Sequence, residues 1–350
     1  MEWARGDVLG RGSSATVTAA TSTSGEIFSV KSVDFSQSEN LKKEQHILSM
    51  LNSPYVVSYK GYDTTRENNN IVYNIFMDYM SSGSIIDLIN SRKGVGLTNM
   101  EIARYASNIV KGLDYIHSSG IVHCDIKGRN ILVHENGAKI GDFGCAKWAN
   151  QVSLISGTPM FMAPEVARGE EQGYAADIWA FGCTLIEMIT GNSPWSNVTD
   201  PCSVLYRIAY SNEIPDIPSV ISDQVKDFII KCLIRDPRNR WTAKELLKHP
   251  FIQQFDENSN EIVCEKIGTN SPTSILDQDV WDSIEESSSL SSLSSSLSLV
   301  MDDKFGQSTC FSVRQRIEQL ACKSETEKWV SEKGWITVRG CGAVIDRCGR

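Results

Sequence analysis

The stretch HCDIKGRN, residues 123–130, decides how this sequence is interpreted. It follows a short apolar run at 120–122, which predicts a buried strand that leads into a loop. One such loop can place a proton acceptor, the Asp125 carboxylate, beside a metal ligand, the Asn130 amide oxygen. Lys127, between them, can neutralise negative charge on a transferred group. The stretch therefore predicts a catalytic loop.

A second acidic residue follows in GDFG, residues 141–144, where Asp142 comes 12 positions after Asn130. Carboxylate and amide oxygens are ligands that suit Mg²⁺ when it bridges phosphates. Phosphoryl transfer depends mainly on positioning and on charge neutralisation, so these groups and the Asp125 base are chemically sufficient. The spacing predicts magnesium-dependent phosphoryl transfer, with Asn130 and Asp142 as the metal ligands.

Upstream, a lysine and a glutamate are candidates for an ion pair. Lys31 ends the strand-like FSVK, residues 28–31, and Glu44 belongs to a helix predicted over 39–51. The apolar face of that helix consists of Leu41, Leu48 and Leu51. Glu44 shares this face, and a buried carboxylate needs a cation because an unpaired buried charge is costly. We predict that Glu44 holds Lys31 ready for phosphate oxygens; a Glu44 that faces only solvent is the alternative.

The glycine-rich stretch LGRGSSATV, residues 9–17, is a candidate nucleotide loop. Its glycines would let backbone N–H groups approach a phosphate, and Leu9 and Val17 could enclose a flat base. A nicotinamide-binding oxidoreductase has nearly the same letters, but there the turn opens a helix. Here the chain continues into strand-like Thr/Ser-rich sequence, which disfavours that alternative. An ordinary glycine hairpin is the other reading of this stretch taken alone.

In this order the motifs resemble those of the eukaryotic protein kinases. After GDFG the matching motifs continue with APE (163–165) and DIWAFG (177–182), and the resemblance extends from about residue 3 to residue 251. The resemblance implies ATP and Mg²⁺ as cofactors. The residues implied in catalysis are Asp125, Lys127, Lys31 and Glu44, and those implied to hold magnesium are Asn130 and Asp142. The residues implied to bind the nucleotide are Leu9, Gly10, Arg11, Gly12, Ser13, Ser14, Ala15, Thr16, Val17, Lys31, Met77, Asp78, Tyr79, Met80 and Leu132.

The first 80 or so residues have strand patterns with one helix, and the pattern is mostly helical from residue 84 onward, which predicts a small β-rich lobe followed by a larger helical one. The same resemblance implies this α+β, two-lobed architecture for residues 3–255. A small β-rich N-lobe would cover about 3–80 and a larger helical C-lobe about 81–255. Residues 256–350 then form a tail with a regulatory or partner-binding role. Its segment 287–298 contains nine serines and three leucines, which predicts a mostly disordered tail. A docking helix built on those leucines is the alternative.

Further details of the resemblance concern recognition and subfamily. Met77 would be the gatekeeper beside the adenine hinge, and Glu165 would pair with Arg240 to brace the activation segment. GTPMFMAPEVARG, residues 157–169, resembles MEKK-type MAP kinase kinase kinases, and TNSPTSILDQDVW, residues 269–281, resembles a plant branch of them. This implies a serine/threonine kinase that phosphorylates a MAP kinase kinase in stress or abscisic-acid signalling. A kinase-fold scaffold with little activity is the alternative.

Three positions depart from the usual kinase pattern. Ala15 replaces the third loop glycine, and Ser29 puts a hydroxyl near the adenine. Cys124 stands where many kinases have an arginine that pairs with a phosphate on the activation segment, and a cysteine cannot make that pair. We predict an active kinase that depends less on phosphorylation of this segment. The hydroxyls available there are Ser153, Ser156 and Thr158.

Composition limits the partners and the compartment. The net charge of −9 disfavours nucleic-acid binding, and no stretch approaches the roughly 18 apolar residues of a membrane span. The 10 cysteines have no metal-binding spacing, which favours a reducing compartment. We expect a cytoplasmic protein and leave nuclear entry open. Upstream or feedback kinases are expected partners, with Ser271, which precedes Pro272, as a candidate feedback site.

Overall fold

The computed structural model describes residues 2–12, 15–135, 137–151, 154–196, 198 and 200–253. These residues form a β-sheet lobe followed by a helical lobe, which confirms the predicted two-lobed α+β fold. The predicted disorder of the tail, 256–350, falls outside the described residues.

An antiparallel sheet forms the N-lobe. Its strands are β1 (Trp3–Arg11), β2 (Thr16–Ser22), β3 (Ile27–Asp34), β4 (Tyr59–Glu67) and β5 (Asn70–Asp78). Their order is β1-β2-β3-β5-β4, so β3 lies in the centre. Val30 of β3 and Ile75 of β5 are fully buried, as β-branched residues of central strands usually are. The β4–β5 hairpin turns through Asn68 and Asn69, which both have positive φ, a conformation that asparagine tolerates.

The helix α1 (Glu39–Ser49) lies between β3 and β4 in the chain. It ends before Leu51, two residues earlier than the apolar pattern predicts. Its buried residues are Leu41, Glu44, Ile47 and Leu48. The predicted inward face is therefore correct, and it carries the Glu44 carboxylate into the interior.

Helices dominate the C-lobe. They are α2 (Ile85–Ser91), α3 (Asn99–Ser118), α4 (Pro164–Ala167), α5 (Tyr174–Thr190), α6 (Pro201–Tyr210), α7 (Asp223–Cys232) and α8 (Ala243–Leu246). The sequence marks several boundaries: capping boxes open α2, α3 and α8, and Gly191 at φ 70° ends α5. The sequence of α5 is apolar on nearly all sides, and its Trp179 and Phe181 have no exposed surface. Within the described part of the chain, none of the helices could span a bilayer.

Four short strands position the catalytic loop. They are β6 (Ile121–Val122), β7 (Ile131–His134), β8 (Gly137–Ile140) and β9 (Lys147–Trp148). β6 pairs with β9, and β7 pairs with β8. The stretch 123–130 connects β6 to β7, and GDFG connects β8 to β9. The catalytic loop begins at β6 and ends at β7, and the GDFG loop begins at β8 and ends at β9. Because β6 pairs with β9 and β7 with β8, the two loops lie side by side.

Candidate active site

Lys31 joins the two lobes through two carboxylates. Its Nζ lies 2.8 and 2.7 Å from the oxygens of Glu44 and 2.7 Å from Oδ1 of Asp142. β3 supplies the lysine, α1 the glutamate and the GDFG loop the aspartate. The predicted Lys31–Glu44 pair is therefore confirmed. The side chain of Asp142 is 31% exposed, whereas that of Glu44 is 2% exposed, so the accessible end of the trio is Asp142.

Charge pairing decides the protonation of this trio. Burial would lower the pKa of Lys31, but the carboxylates of Asp142 and Glu44 outweigh burial and raise it. Burial would likewise raise the pKa of Asp142, but the Lys31 ammonium holds it well below its usual range. Asp142 is therefore ionised at neutral pH, which is the form that binds a divalent cation.

Asp177 of α5 holds the start of the catalytic loop. Asp177 accepts hydrogen bonds from the backbone N–H groups of His123, at 2.8 Å, and Cys124, at 2.9 Å. The His123 ring contacts the carbonyl of Gly141 at 3.0 Å and packs edge-on against Phe143. One buried histidine thus couples the catalytic loop to the GDFG loop.

Asp125, Lys127 and Thr158 form a compact polar cluster. Lys127 Nζ lies 3.0 Å from Asp125 Oδ2 and donates to Thr158 Oγ1 at 2.7 Å. Thr158 Oγ1 in turn donates to Asp125 Oδ1 at 2.8 Å. The carboxylate and the ammonium are both nearly buried, so their attraction is little screened. The cluster holds a carboxylate and an ammonium group side by side.

Asn130 completes the loop, and its side-chain amide is held in a fixed orientation. Its Nδ2 donates to the carbonyl of Asp125 at 2.7 Å and to Asp125 Oδ2 at 3.1 Å, which fixes the amide orientation. Its Oδ1 is buried and makes no hydrogen bond within the described chain. Such an atom is costly unless a ligand satisfies it. A hard cation is a suitable ligand, and Asn130 with Asp142 fits Mg²⁺, which needs few protein ligands.

Most of the predicted nucleotide residues that the structure describes belong to strands β1, β2, β3 and β5 of the N-lobe sheet, and Leu132 belongs to β7. Gly12 N–H donates to the Ala15 carbonyl at 2.7 Å, which closes the loop between β1 and β2. Val17 pairs with both Gly10 and Lys31 in the sheet. Arg11 is exposed, Leu9 and Thr16 are half-buried, and Ser13 and Ser14 lie outside the described residues.

The side chain and the backbone of Asp78, in the predicted hinge, make hydrogen bonds to neighbouring strands and loops. Asp78 accepts from Lys139 Nζ at 2.6 Å and from Ser58 N–H at 3.2 Å. Its backbone carbonyl accepts from the Ser29 hydroxyl at 2.8 Å, so the unusual serine bonds to the hinge itself. The remaining predicted members are Met77 and Met80, which are buried, and Tyr79 and Leu132, which are half-buried.

The activation segment is braced as predicted. Arg240 makes two hydrogen bonds to Glu165, at 2.7 and 3.0 Å, and both side chains are almost fully buried. Cys124 is also buried, and burial raises the pKa of its thiol well above the usual value. That thiol is therefore a neutral packing group. Ser153 lies outside the described residues, and Ser156 is half-buried.

Sequence reasoning missed four residues of this site. Thr158 was predicted only as a modifiable hydroxyl, whereas its Oγ1 contacts Asp125 and Lys127. No role was predicted for Asp177, which anchors the loop, although the motif DIWAFG contains it. Glu187 accepts from Gly128 N–H at 3.0 Å, and Gln172 bonds to Ser156 and Cys124. No period or motif marks the last two.

Comparison with known proteins agrees with this geometry. The protein kinase domain family matches residues 3–252. Mitogen-activated protein kinase kinase kinase 17 of Arabidopsis thaliana is 50% identical over 294 residues, which are 82% of this chain and 78% of that protein. Kinase kinase kinase 18 of the same plant is 50% identical, over 82% of this chain and 86% of its own. Kinase kinase kinase A of Dictyostelium discoideum is 37% identical over 79% of this chain and 30% of its own.

The chain belongs to the protein kinase family. It is a serine/threonine kinase of the mitogen-activated protein kinase kinase kinase type.

Proposed function

We propose that this kinase transfers the γ-phosphoryl group of ATP to a serine or threonine of a MAP kinase kinase. The observation that carries the proposal is the convergence of Asp125, Lys127 and Asn130 with the Lys31–Asp142 pair. These groups come from three segments that are distant in the sequence: the catalytic loop, the GDFG loop and β3. The names of the relatives supply the substrate class, since each name describes a kinase that acts on a MAP kinase kinase.

In this mechanism Asp125 orients the incoming hydroxyl and accepts its proton. Its Oδ2 is held by Lys127 and by Asn130, which fixes the direction of the carboxylate. Lys127 supports the γ-phosphate, and Lys31, steadied by Glu44, holds the α- and β-phosphates. Asn130 and Asp142 would hold Mg²⁺, which supplies charge neutralisation on the phosphate oxygens when it is bound.

The adenine would bind between the glycine-rich loop and the hinge. Leu9, Val17 and Leu132 would cover its faces, and the backbone of residues 78–80 would read its edge. The Asp78 side chain is already engaged with Lys139, so only its backbone is available to the base. Met77, which is 8% exposed, closes the back of the site as the gatekeeper.

The wider context of the activity is also part of the proposal. The Arabidopsis resemblance supports a role in plant stress or abscisic-acid signalling, in the cytoplasm and with nuclear entry open. Residues 256–350 serve as a regulatory or partner-binding tail outside the kinase domain, 3–255. Ser271 is a candidate site for a feedback kinase.

The test is phosphorylation of a panel of MAP kinase kinases by the full chain with magnesium and ATP. We expect one or a few members to be labelled on activation-segment serines or threonines, and the label to disappear with the Lys31→Met variant. Acceptors with those hydroxyls replaced by alanine control for site choice. Labelling of a general acceptor protein without labelling of any panel member would overturn the substrate assignment.

A further inference from the structure

Gln172 uses its whole amide group to join two segments of the active site. It lies between α4 and α5 and is 6% exposed. Its Oε1 accepts from the backbone N–H of Ser156 at 3.3 Å, and its Nε2 donates to the Ser156 carbonyl at 2.9 Å. Nε2 also donates to the Cys124 carbonyl at 3.3 Å. The side chain therefore binds the activation segment as a neighbouring strand would, and ties it to the catalytic loop.

The catalytic-loop end of this connection is rigid. Cys124 has φ 67°, an uncommon conformation for a non-glycine residue, which the surrounding structure must hold. Asp177 secures it by accepting the Cys124 N–H at 2.9 Å. With its N–H held by Asp177 and its carbonyl by Gln172, both backbone polar groups of Cys124 are satisfied.

The activation-segment end leads directly to the catalytic cluster. Gly157 follows Ser156 at φ 113°, and a Cβ added to Gly157 would lie 2.3 Å from the Cys124 carbonyl oxygen. The two backbones can approach this closely only because residue 157 is glycine. Thr158 comes next and places its hydroxyl between Asp125 and Lys127. Thr158 therefore lies two residues after Ser156, the residue that Gln172 binds.

We propose that Gln172 is a positioning residue that holds the activation segment on the catalytic loop without a phosphate group. All groups in the connection are neutral: an amide side chain and the backbone of Ser156 and Cys124. It performs with hydrogen bonds the ordering that a phosphate and an arginine could perform with charge. The inference rests on the kinase activity of the chain and not on the identity of the MAP kinase kinase.

The experiment compares Gln172→Glu and Gln172→Ala with Glu171→Gln in the full chain. Gln172→Glu keeps the size of the side chain, but its carboxylate cannot donate to the two carbonyls. Glu171 is adjacent in sequence and exposed, so Glu171→Gln controls for changes near α5. The measurements are kcat on a general acceptor such as myelin basic protein, the KM for ATP, the melting temperature, and hydrogen exchange at the Ser156 amide.

We expect kcat to fall roughly 10-fold or more in both Gln172 variants, because two or more hydrogen bonds are lost and each is worth roughly a factor of 2 to 12. The KM for ATP should stay within about 2-fold, because the hydrogen bonds of Gln172 go to Ser156 and Cys124, and neither is a predicted nucleotide residue. The Ser156 amide should exchange faster in Gln172→Ala, which loses its acceptor. A purely structural role would instead reduce the nucleotide-binding fraction and leave kcat per binding site unchanged.

A further measurement needs no variant. Wild-type protein treated with phosphatase should keep most of its kcat, because the neutral connection needs no phosphate. A kcat in the Gln172 variants equal to that of Glu171→Gln, or an unchanged Ser156 exchange rate in Gln172→Ala, would overturn the proposal. Loss of wild-type activity after phosphatase treatment would overturn it as well. Failure to label any MAP kinase kinase would bear only on the substrate assignment, since these measurements use a general acceptor.

Discussion

Thr158 Oγ1 donates a 2.8 Å hydrogen bond to Asp125 Oδ1 and so fixes one oxygen of the proposed base. The same hydroxyl accepts from Lys127 Nζ at 2.7 Å. An ionised carboxylate has about four lone-pair sites, so Asp125 can still accept from an incoming alcohol. The activation segment therefore supplies part of the proton acceptor's environment. The orientation of the Asp125 carboxylate therefore depends on the correct placement of the activation segment.

Replacing Thr158 by alanine should reduce kcat by roughly 10- to 100-fold. The loss of a hydrogen bond to a charged group costs about 1.5–3 kcal/mol, which corresponds to that factor. Thr158→Ser keeps the hydroxyl and should retain most of the activity. Steady-state kinetics on one acceptor checks this. The matched control is Ser156→Ala, because the Ser156 hydroxyl makes one long hydrogen bond among the described residues, to the Cys145 carbonyl at 3.4 Å.

The acidic variant gives the sharper outcome. Thr158→Asp should be inactive, because a carboxylate beside Asp125 places two like charges in contact. If Thr158→Asp were as active as the wild type, the proposal that the Thr158 hydroxyl orients Asp125 would be wrong. It follows that dependence on phosphorylation is best tested at Ser153 and Ser156 alone. Including Thr158 would remove activity for a different reason.

The sequence predicts the parts of this site that follow a period or a motif. Glu44 points inward because the residues three before it and four after it on its helix, Leu41 and Leu48, are leucines, so its pairing with Lys31 could be inferred. Asp125, Asn130 and Asp142 follow from their motifs. The same reasoning gave the two lobes, since strand and helix periods change near residue 80.

Contacts between distant segments could not be predicted in this way. Thr158 meets Asp125, and Gln172 meets Ser156, only after the segments between them have folded back. Hydrogen bonds to backbone atoms depend little on the identity of the residue that is contacted, so no pair of letters marks them. Likewise, the sequence could not predict that Asn130 Oδ1 is buried without a hydrogen bond among the described residues, because this depends on how the neighbouring segments pack around it.

Glu44→Gln should lower kcat/KM for ATP by roughly 10-fold. Without the Glu44 charge, Asp142 is the remaining anion beside Lys31 and draws the ammonium toward the metal site and away from the phosphates. The loss should appear mainly in kcat/KM for ATP, with a smaller change in the KM for the protein acceptor. Glu39→Gln, on an 85% exposed side chain of the same helix, is the control and should be neutral. Equal kinetics in the two variants would contradict the prediction.

Arg240→Lys should destabilise the protein even though it keeps the charge. Arg240 gives Glu165 two hydrogen bonds and also donates to the Ile234 and Ala175 carbonyls. A lysine cannot reproduce this planar arrangement, and breaking a buried pair costs about 3–5 kcal/mol. The midpoint of urea unfolding should fall. Arg238→Lys, on an 87% exposed side chain near the same turn, should leave it unchanged. A similar midpoint for both variants would show that Arg240 does not brace the segment.

Glu187 should make the stability of the kinase domain depend on pH. Burial raises the pKa of its carboxyl to about 7, despite the hydrogen bond from Gly128 N–H. The folded state therefore binds a proton that the unfolded state, with its lower pKa, has already released. The contribution of this group is fully present below the ordinary glutamate pKa, near 4.3, and is lost as pH rises through about 7.

Glu187→Gln removes that titration while keeping a carbonyl oxygen for the Gly128 N–H. We expect the difference in melting temperature between the wild type and Glu187→Gln to grow from pH 5 to pH 8, with the variant relatively more stable at the higher pH. Glu171→Gln, on an exposed neighbouring carboxylate, should run parallel to the wild type across this range. Parallel curves for Glu187→Gln as well would show that the carboxyl titrates at its ordinary pKa, so that its burial would be compensated by the nearby charges of Arg129 and Lys127.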